Sequence, residues 1–148
     1  QLLATITATG TVGTLVAEGL SAKQHYTVIL STQGKSTGNS ISLLFNQDTG
    51  NTYAYRYFMN YVQNDVGDLG AFIQPFAGTT TPEFYTFNIS NFLGVEKQVY
   101  WTGSASSTSI TGNGRWNNTT SQITSIRFRS NGGGFLADSK MWVYSSRD

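Results

Sequence analysis

The chain has 148 residues, a length typical of one domain that buries its own core without metal or disulfide staples. Charged residues make up 11% of it and the formal net charge is +1, so we expect no nucleic-acid partner. There is no cysteine for a disulfide framework. A stretch of about eighteen consecutive apolar residues is also missing, so we expect no membrane insertion.

Short β-strands are predicted along the whole chain, because no window keeps a helical stripe of apolar residues free of glycine or β-branched runs. Strand-like runs lie at 2–9, 13–19, 25–32, 40–47, 52–61, 71–76, 83–90, 97–104, 121–130 and 140–145. Turn-forming residues separate these runs, and the stretches at 32–39, 46–51 and 111–118 each predict a chain reversal. The pattern predicts an all-β fold, a single antiparallel β-sandwich domain, jelly-roll-like, over residues 1–148.

Few residues are available for catalysis. His25 is the single histidine, and it lies at a strand start without a nucleophile motif beside it. Asp65 and Asp68 fall in the predicted loop NDVGDLG, where they fit either a glycosidase pair of carboxylates or ordinary turn residues. We therefore predict no catalytic residue, no cofactor and no enzyme activity.

The segment from Asn46 to Asn51, NQDTGN, imitates part of an oxygen-rich calcium loop. It lacks the glycine at the sixth place and the closing glutamate of an EF-hand. A tight β-turn is the simpler interpretation, and we predict no metal site.

Large amphipathic side chains occupy every second position from Tyr53 to Tyr61, whereas Arg56 lies on the opposite face of the predicted strand. One interpretation places this stripe in the core or against another subunit, with the tyrosine hydroxyls reaching partners at the sheet margin. The other interpretation makes it a ring-rich surface that stacks on sugars. The glycan-binding candidates under this second interpretation are Tyr53, Tyr55, Tyr57, Tyr61, Asp65 and Asp68.

Two segments resemble one known family. The run GNGRWNNTTSQITSIRFRSNGGGFLADSKMWVY is similar to the closing signature of a β-sandwich domain found in tailed-bacteriophage virion proteins. LLFNQDTGNTYAYRYF is similar to the centre of the same domain. The motif residues matched here, interpreted as mostly fold-defining, are Asn46, Asp48, Gly50, Tyr53, Gly114, Trp116, Asn117, Ile123, Ile126, Ser139, Trp142 and Tyr144.

The resemblance implies a virion module of the tail-fibre, tailspike or head-decoration kind, non-enzymatic in itself. We expect it to form a homo-oligomer, a trimer, to contact other virion proteins and to attach to host surface glycan. Because the first residue is Gln1 rather than methionine, we expect a fragment or processed part of a longer virion protein. Two alternatives stay open: a carbohydrate-binding module of a glycan-degrading enzyme, and a depolymerase.

The last two predicted strands, 121–130 and 140–145, each have two partly apolar faces. Such strands are expected to be enclosed on one side and in contact on the other. We therefore expect them to form a hairpin at a sheet margin, with one side in the sandwich and the other against a neighbouring subunit or virion protein.

Overall fold

The protein folds into two antiparallel β-sheets. The computed structural model describes residues 1–38, 40–60, 62–70, 72–76, 80–105 and 108–146, with the backbone alone for 64–69 and 76. The strands within them are β1 (Leu2–Thr7), β2 (Thr14–Ala17), β3 (His25–Thr32), β4 (Ile41–Phe45), β5 (Tyr53–Met59), β6 (Val62–Gly70), β7 (Ile73–Phe76), β8 (Glu83–Ser90), β9 (Lys97–Ala105), β10 (Thr108–Trp116), β11 (Ile126–Ser130) and β12 (Lys140–Ser145). These residues include no helix of a length and apolarity that would cross a membrane.

An eight-stranded sheet and a four-stranded sheet face each other. The large sheet has the order β1-β12-β3-β8-β9-β10-β5-β6, and the small sheet has the order β2-β11-β4-β7. The small sheet lies over the large one, because β2 contacts β1 and β12 while β7 contacts β5 and β10. The predicted fold class, an all-β antiparallel sandwich, is confirmed.

Alternation of apolar and polar residues builds the core between the sheets. In β3 and β8 every second side chain is buried and the ones between are exposed or half-buried. The ring of Phe87 in β8 lies 5.0 Å from that of Phe128 in the small sheet and 6.3 Å from that of Trp101 in β9. Aromatic pairs of this kind add about 0.5–1.5 kcal/mol beyond the burial of their area.

Strand β10 lies where the sequence predicts a loop and a chain reversal, so that prediction is wrong. The strand pairs with β9 on one side and with β5 on the other. Its glycines look like turn residues in the sequence, but Gly112 lies against the indole of Trp101, and an added Cβ would overlap that ring. Glycine is therefore needed here for close packing inside a central strand.

The predicted terminal hairpin is also wrong, because β11 and β12 belong to opposite sheets. β11 pairs with β2 and β4, whereas β12 lies between β1 and β3. The segment that joins them crosses between the sheets and buries Phe135, whose backbone bridges to Val12 and Lys35. Burial of this ring keeps the segment from folding as the tight turn that its glycines suggest.

β1 forms one edge of the large sheet and is paired with β12. The α-ammonium group of Gln1 donates a hydrogen bond to the carbonyl oxygen of Ser145 at 2.7 Å. The amide of Ser145 donates in return to the carbonyl oxygen of Gln1 at 2.8 Å. The first and last strands of the chain are thus hydrogen-bonded neighbours.

Candidate functional site

The outer face of the large sheet, which points away from the small sheet, is polar with scattered rings. Strand register sets its side chains side by side in rows across the sheet. One row crosses six strands from β12 to β5 and contains Tyr144, Thr27, Asn88, Tyr100, Asn113 and Arg56. Polar groups and rings are therefore brought together from distant parts of the chain.

A groove of about 410 Å³ lies on this outer face over β3, β8 and β9. We call it the β3–β8–β9 groove. Each strand contributes two alternate, outward-pointing side chains to it. These side chains are His25, Thr27, Asn88, Ser90, Gln98 and Tyr100.

Hydrogen bonds within the groove orient its amide groups. Thr27 Oγ1 donates to Asn88 Oδ1 at 3.2 Å, and the Tyr100 hydroxyl donates to Gln98 Oε1 at 3.2 Å. Both amide oxygens therefore have a partner already. The amide nitrogens of Asn88 and Gln98 have no acceptor among the described residues, so they remain available as donors to a ligand.

An aromatic side chain stands at each of two corners of the groove. The ring of Tyr100 is 55% exposed, although it lies on a central strand. The ring of His25 meets that of Phe92 edge to face at 5.0 Å. Aromatic side chains offer apolar faces beside the polar floor that Asn88 and Ser90 form between them.

Hydrogen bonds hold the loop between β8 and β9, residues 91–96, at one end of the groove. The buried Asn91 accepts a hydrogen bond from the amide of Ile123 at 2.6 Å. Lys97 Nζ donates to the carbonyl oxygens of Val95 and Asn118, each at 2.8 Å. Burial lowers the pKa of Lys97 from its usual value.

An ion pair lies beside the groove. Arg115 lies opposite Gln98 in register, and its Nη1 binds both carboxylate oxygens of Glu96 at 3.0 and 2.9 Å. Arg56 and Lys140 also point to the outer face, one at each side of the sheet. In the part of the chain that the structure describes, no group of three or more metal-binding side chains is present.

The tyrosine stripe lies mostly inside the sandwich, as the first of the two interpretations has it. Tyr53 is fully buried, and its hydroxyl donates to the carbonyl oxygen of Phe45 and accepts from the amide of Phe45. Tyr57 is 6% exposed, and burial raises the pKa of its hydroxyl despite a hydrogen bond with Gln74. The interpretation that Tyr53 and Tyr57 stack on a sugar is therefore wrong, because neither ring has a free face. Tyr55 is half-buried, with a raised pKa caused by burial and by Tyr57.

The structure describes little of the other three glycan-binding candidates, Tyr61, Asp65 and Asp68. Tyr61 falls outside the described residues, as do the side chains of Asp65 and Asp68. The backbone of both aspartates belongs to strand β6 and not to the predicted loop. The backbone of Asp65 lies opposite Arg56 in the register of β6 with β5.

Asp48 lies in the central motif, the segment LLFNQDTGNTYAYRYF, and links it to the core by hydrogen bonds. Its carboxylate accepts hydrogen bonds from the amide of Gly50 at 2.8 Å, from Thr52 Oγ1 at 2.9 Å and from Trp116 Nε1 at 2.7 Å. Partial burial of Asp48 acts to raise its pKa, but the bonds from Trp116, Gly50 and Thr52 outweigh it and lower the pKa below its usual value. This carboxylate is occupied by donors, which fits a turn better than a calcium ligand.

Asn46 stabilises the same turn from the other side. Its backbone has a positive φ of 50°, a conformation that asparagine tolerates. Its side chain accepts from the amides of Thr124 and Ser125 and donates to the carbonyl oxygen of Gln122. The central and closing motifs thus contact each other within the fold.

The residues of the closing motif, the run GNGRWNNTTSQITSIRFRSNGGGFLADSKMWVY, lie partly in the core and partly on the outer face. Trp116, Ile123, Ile126 and Ser139 are buried. The amide of Asn117 donates to the carbonyl oxygen of Thr52 at 2.7 Å, and Gly114 lies in β10 against Ala54 and Ile73. Trp142 and Tyr144 are half-buried on the outer face of β12. Tyr144 shares a row with the groove residues Thr27, Asn88 and Tyr100, whereas Trp142 lies in the row of Ile29 and Thr86. Neither side chain is part of the sandwich core.

Sequence reasoning missed the groove residues other than His25. Their strands were predicted, and the alternation in β8 and β9 already indicates which side chains point outward. The register between strands 60 or more residues apart was not readable from the sequence. That register brings Thr27 of β3 beside Asn88 of β8, while the pairing of the consecutive strands β8 and β9 brings Asn88 beside Tyr100.

Comparisons with known proteins return distant structural likenesses. No family model matches the chain, and no curated protein matches it. A structure of alginate lyase Aly36B in complex with alginate tetrasaccharide is 12% identical with a TM-score of 0.41, over 94% of this chain and 76% of that chain. The enzymatically active domain of bacteriophage CBA120 tailspike protein 2 is 13% identical with a TM-score of 0.41, over 91% of this chain and 24% of that chain.

These neighbours correct one prediction from the sequence. Both are enzymes, a lyase and an enzymatically active tailspike domain, so the prediction that this chain is not an enzyme is wrong by this comparison and is withdrawn. At TM-scores of 0.41 the likenesses assign no reaction to the chain.

Proposed function

We propose that this chain binds a glycan across the outer face of its large sheet, with one sugar seated in the β3–β8–β9 groove. The observation that carries the proposal is the exposed ring of Tyr100 beside two amide side chains on that face. Sugars combine apolar C–H faces with a rim of hydroxyl groups. A ring that stacks and amides that form hydrogen bonds match both parts.

The size of the outer face suits an oligosaccharide. Strands in a sheet lie about 4.8 Å apart, so the row from Tyr144 to Arg56 crosses roughly 24 Å. Several sugars fit along that length. Because the groove is shallow and open, we expect a dissociation constant between about 1 μM and 1 mM.

The biological setting that we propose is a bacteriophage tail fibre or tailspike that attaches to host surface glycan. Support for this setting comes from the two motif segments that resemble phage virion proteins. The same proposal includes a homo-oligomer, a trimer, in contact with other virion proteins. Light scattering over a dilution series tests the assembly, and a monomer at all concentrations would contradict it.

Changing Tyr100→Ala tests the binding site. We expect loss of at least tenfold in glycan affinity, equivalent to about 1.4 kcal/mol, because stacking on the ring is removed. Phe84→Ala is the matched control, since Phe84 is 48% exposed on the same face of β8 but outside the groove. Binding is measured on a glycan array and by affinity electrophoresis.

The same incubations are followed for shortened glycan products, which separate binding alone from cleavage. Glycan binding that persists in Tyr100→Ala, or that falls equally in Phe84→Ala, would refute the groove as the site. Product that forms with the unchanged chain and is lost with Tyr100→Ala would add a reaction to the proposed binding.

A further inference from the structure

We infer that the outer face of the small sheet binds an oxyanion, a phosphate or sulfate group, at Arg127 and Arg129 of β11. We call these two residues the arginine pair. The site lies on the opposite side of the sandwich from the β3–β8–β9 groove, so it goes beyond the proposed glycan binding. Its support is the placement of two half-buried positive charges on one face of a strand, with no ion pair to a carboxylate among the described residues.

The alternation of β11 places both arginines on the outer face of the small sheet. The residues between and beside them are buried, whereas the arginines themselves are half-buried. Residues two positions apart in a strand are separated by about 6.6 Å. Two positive charges at this separation repel each other, and partial burial reduces the screening by water. A bound anion would replace this repulsion by attraction to both arginines.

Arg127 has an unsatisfied donor. Its side chain makes no hydrogen bond or ion pair with any residue that the structure describes, although its Nε atom is buried. A buried donor without an acceptor costs free energy, and the cost is larger for a charged group. Buried groups of this kind are normally satisfied by an ordered water or an ion. An oxyanion supplies both the acceptor and the opposite charge.

Arg129 is oriented by its neighbours. Its Nε atom donates a hydrogen bond to Asn131 Oδ1 at 3.2 Å, and its guanidinium carbon lies 5.8 Å from the centre of the Phe72 ring. Asn131 is held in turn by Ser40 Oγ, which accepts from Asn131 Nδ2 at 2.7 Å. These contacts use Nε and one face of the guanidinium group. The two terminal nitrogens of Arg129 therefore remain as a fixed fork of donors, the geometry that binds phosphate.

No carboxylate of the small sheet competes for the arginine pair. The four strands of this sheet, within their described bounds, contain no acidic residue. Glu18 comes directly after β2, and its Oε1 atom accepts a hydrogen bond from Gln47 Nε2 at 2.9 Å. The arginine pair therefore keeps its positive charge for a ligand, and a phosphate or sulfate group has enough oxygens to accept from both side chains.

Thermal unfolding in sodium phosphate tests the inference. For a Kd of about 1 mM, we expect about 10 mM phosphate to raise Tm by about 4 °C relative to sodium chloride of the same ionic strength. The sodium chloride sample accounts for simple screening of the two charges. Sulfate should act in the same way as phosphate. In NMR spectra recorded during the titration, the Nε–H resonance of Arg127 should shift, and this measurement needs no variant.

Arg127→Gln tests the location, since it removes the charge and the fork of donors. We expect the effect of phosphate on Tm to be lost. Arg115→Gln is the matched control, because it gives the same change in net charge at an arginine that is bound to Glu96 on the large sheet. This control should keep the full effect. Arg127→Lys retains the charge without the fork, so we expect phosphate to bind at least threefold more weakly.

Two results would overturn the inference. The first is an equal rise of Tm in phosphate and sodium chloride, with the Arg127 Nε–H resonance unmoved. The second is a full effect of phosphate in Arg127→Gln.

Glucose 6-phosphate distinguishes the source of the anion. Binding of both glucose 6-phosphate and inorganic phosphate would support a phosphate carried on a sugar, whereas binding of inorganic phosphate alone would support the free ion. Tyr100→Ala should keep the full effect of phosphate, so this inference and the proposed function can fail separately.

Discussion

Replacing Trp116 by phenylalanine should destabilise the protein in a way that depends on pH. The change removes the donor of the 2.7 Å hydrogen bond to Asp48 Oδ2 and leaves the two other donors to that carboxylate in place. A hydrogen bond to a charged group contributes about 1.5–3 kcal/mol. For a chain of this length we expect a loss of about 2 kcal/mol and a fall in Tm of roughly 4–8 °C at neutral pH.

The pH dependence follows from the lowered pKa of Asp48. A carboxyl whose pKa is lower in the folded state stabilises the fold fully above its unfolded value, near 3.8, and loses that contribution as pH falls through the folded pKa. Below that point the carboxyl is protonated in wild type as well. The charge-assisted part of the difference between Trp116→Phe and wild type should then disappear.

Urea unfolding at several pH values between about 2 and 7 measures this difference. Trp101→Phe is the matched control, because Trp101 is also buried and donates its indole N–H to the neutral carbonyl oxygen of Pro75 at 3.1 Å. Its destabilisation should stay constant over the same pH range. A loss for Trp116→Phe that is as large at pH 2 as at pH 7 would refute the role given to Asp48.

Two further changes test the packing of the fold. Gly112→Ala should cost about 1–3 kcal/mol in urea unfolding, since the new methyl group overlaps the ring of Trp101, whereas Gly13→Ala, with open space around its Cβ position, should be nearly neutral. Asn91→Ala should cost about 2–3 kcal/mol, because it leaves the buried amide of Ile123 without its acceptor, and hydrogen exchange at that amide should accelerate. A neutral Asn91→Ala would mean that water or another group replaces the side chain.

Much of the sandwich could be predicted from the sequence. Strands β3, β8 and β12 have the bounds that alternation and turn residues predict. β10 was missed because its glycines look like turn residues, while the ring of Trp101 that requires Gly112 comes from a different strand. Local patterns report local structure, and this position is set by a neighbouring strand.

The candidate site was harder to predict for the same physical reason. A stripe of tyrosines in one strand is visible in the sequence, and it drew attention to Tyr53 and Tyr57, which prove to be buried. The groove takes two side chains from each of three strands, so it has no motif of its own. Its existence depends on the pairing of β3 with β8, which lies more than 50 residues further along the chain, and no single stretch of sequence specifies that pairing.

The pairing of β1 with β12 has a consequence for the order of folding during synthesis. Among the described strands, the neighbour of β1 in its sheet is β12, and β12 also covers one side of β3. Gln1 and Ser145, which are joined by a hydrogen bond, are 144 positions apart. The contact is therefore of very long range in the sequence. Until β12 has emerged from the ribosome, β1 lacks its partner in the large sheet and β3 has an open edge that can pair with another chain. The large sheet is therefore completed late, when β12 and β1 pair beside β3.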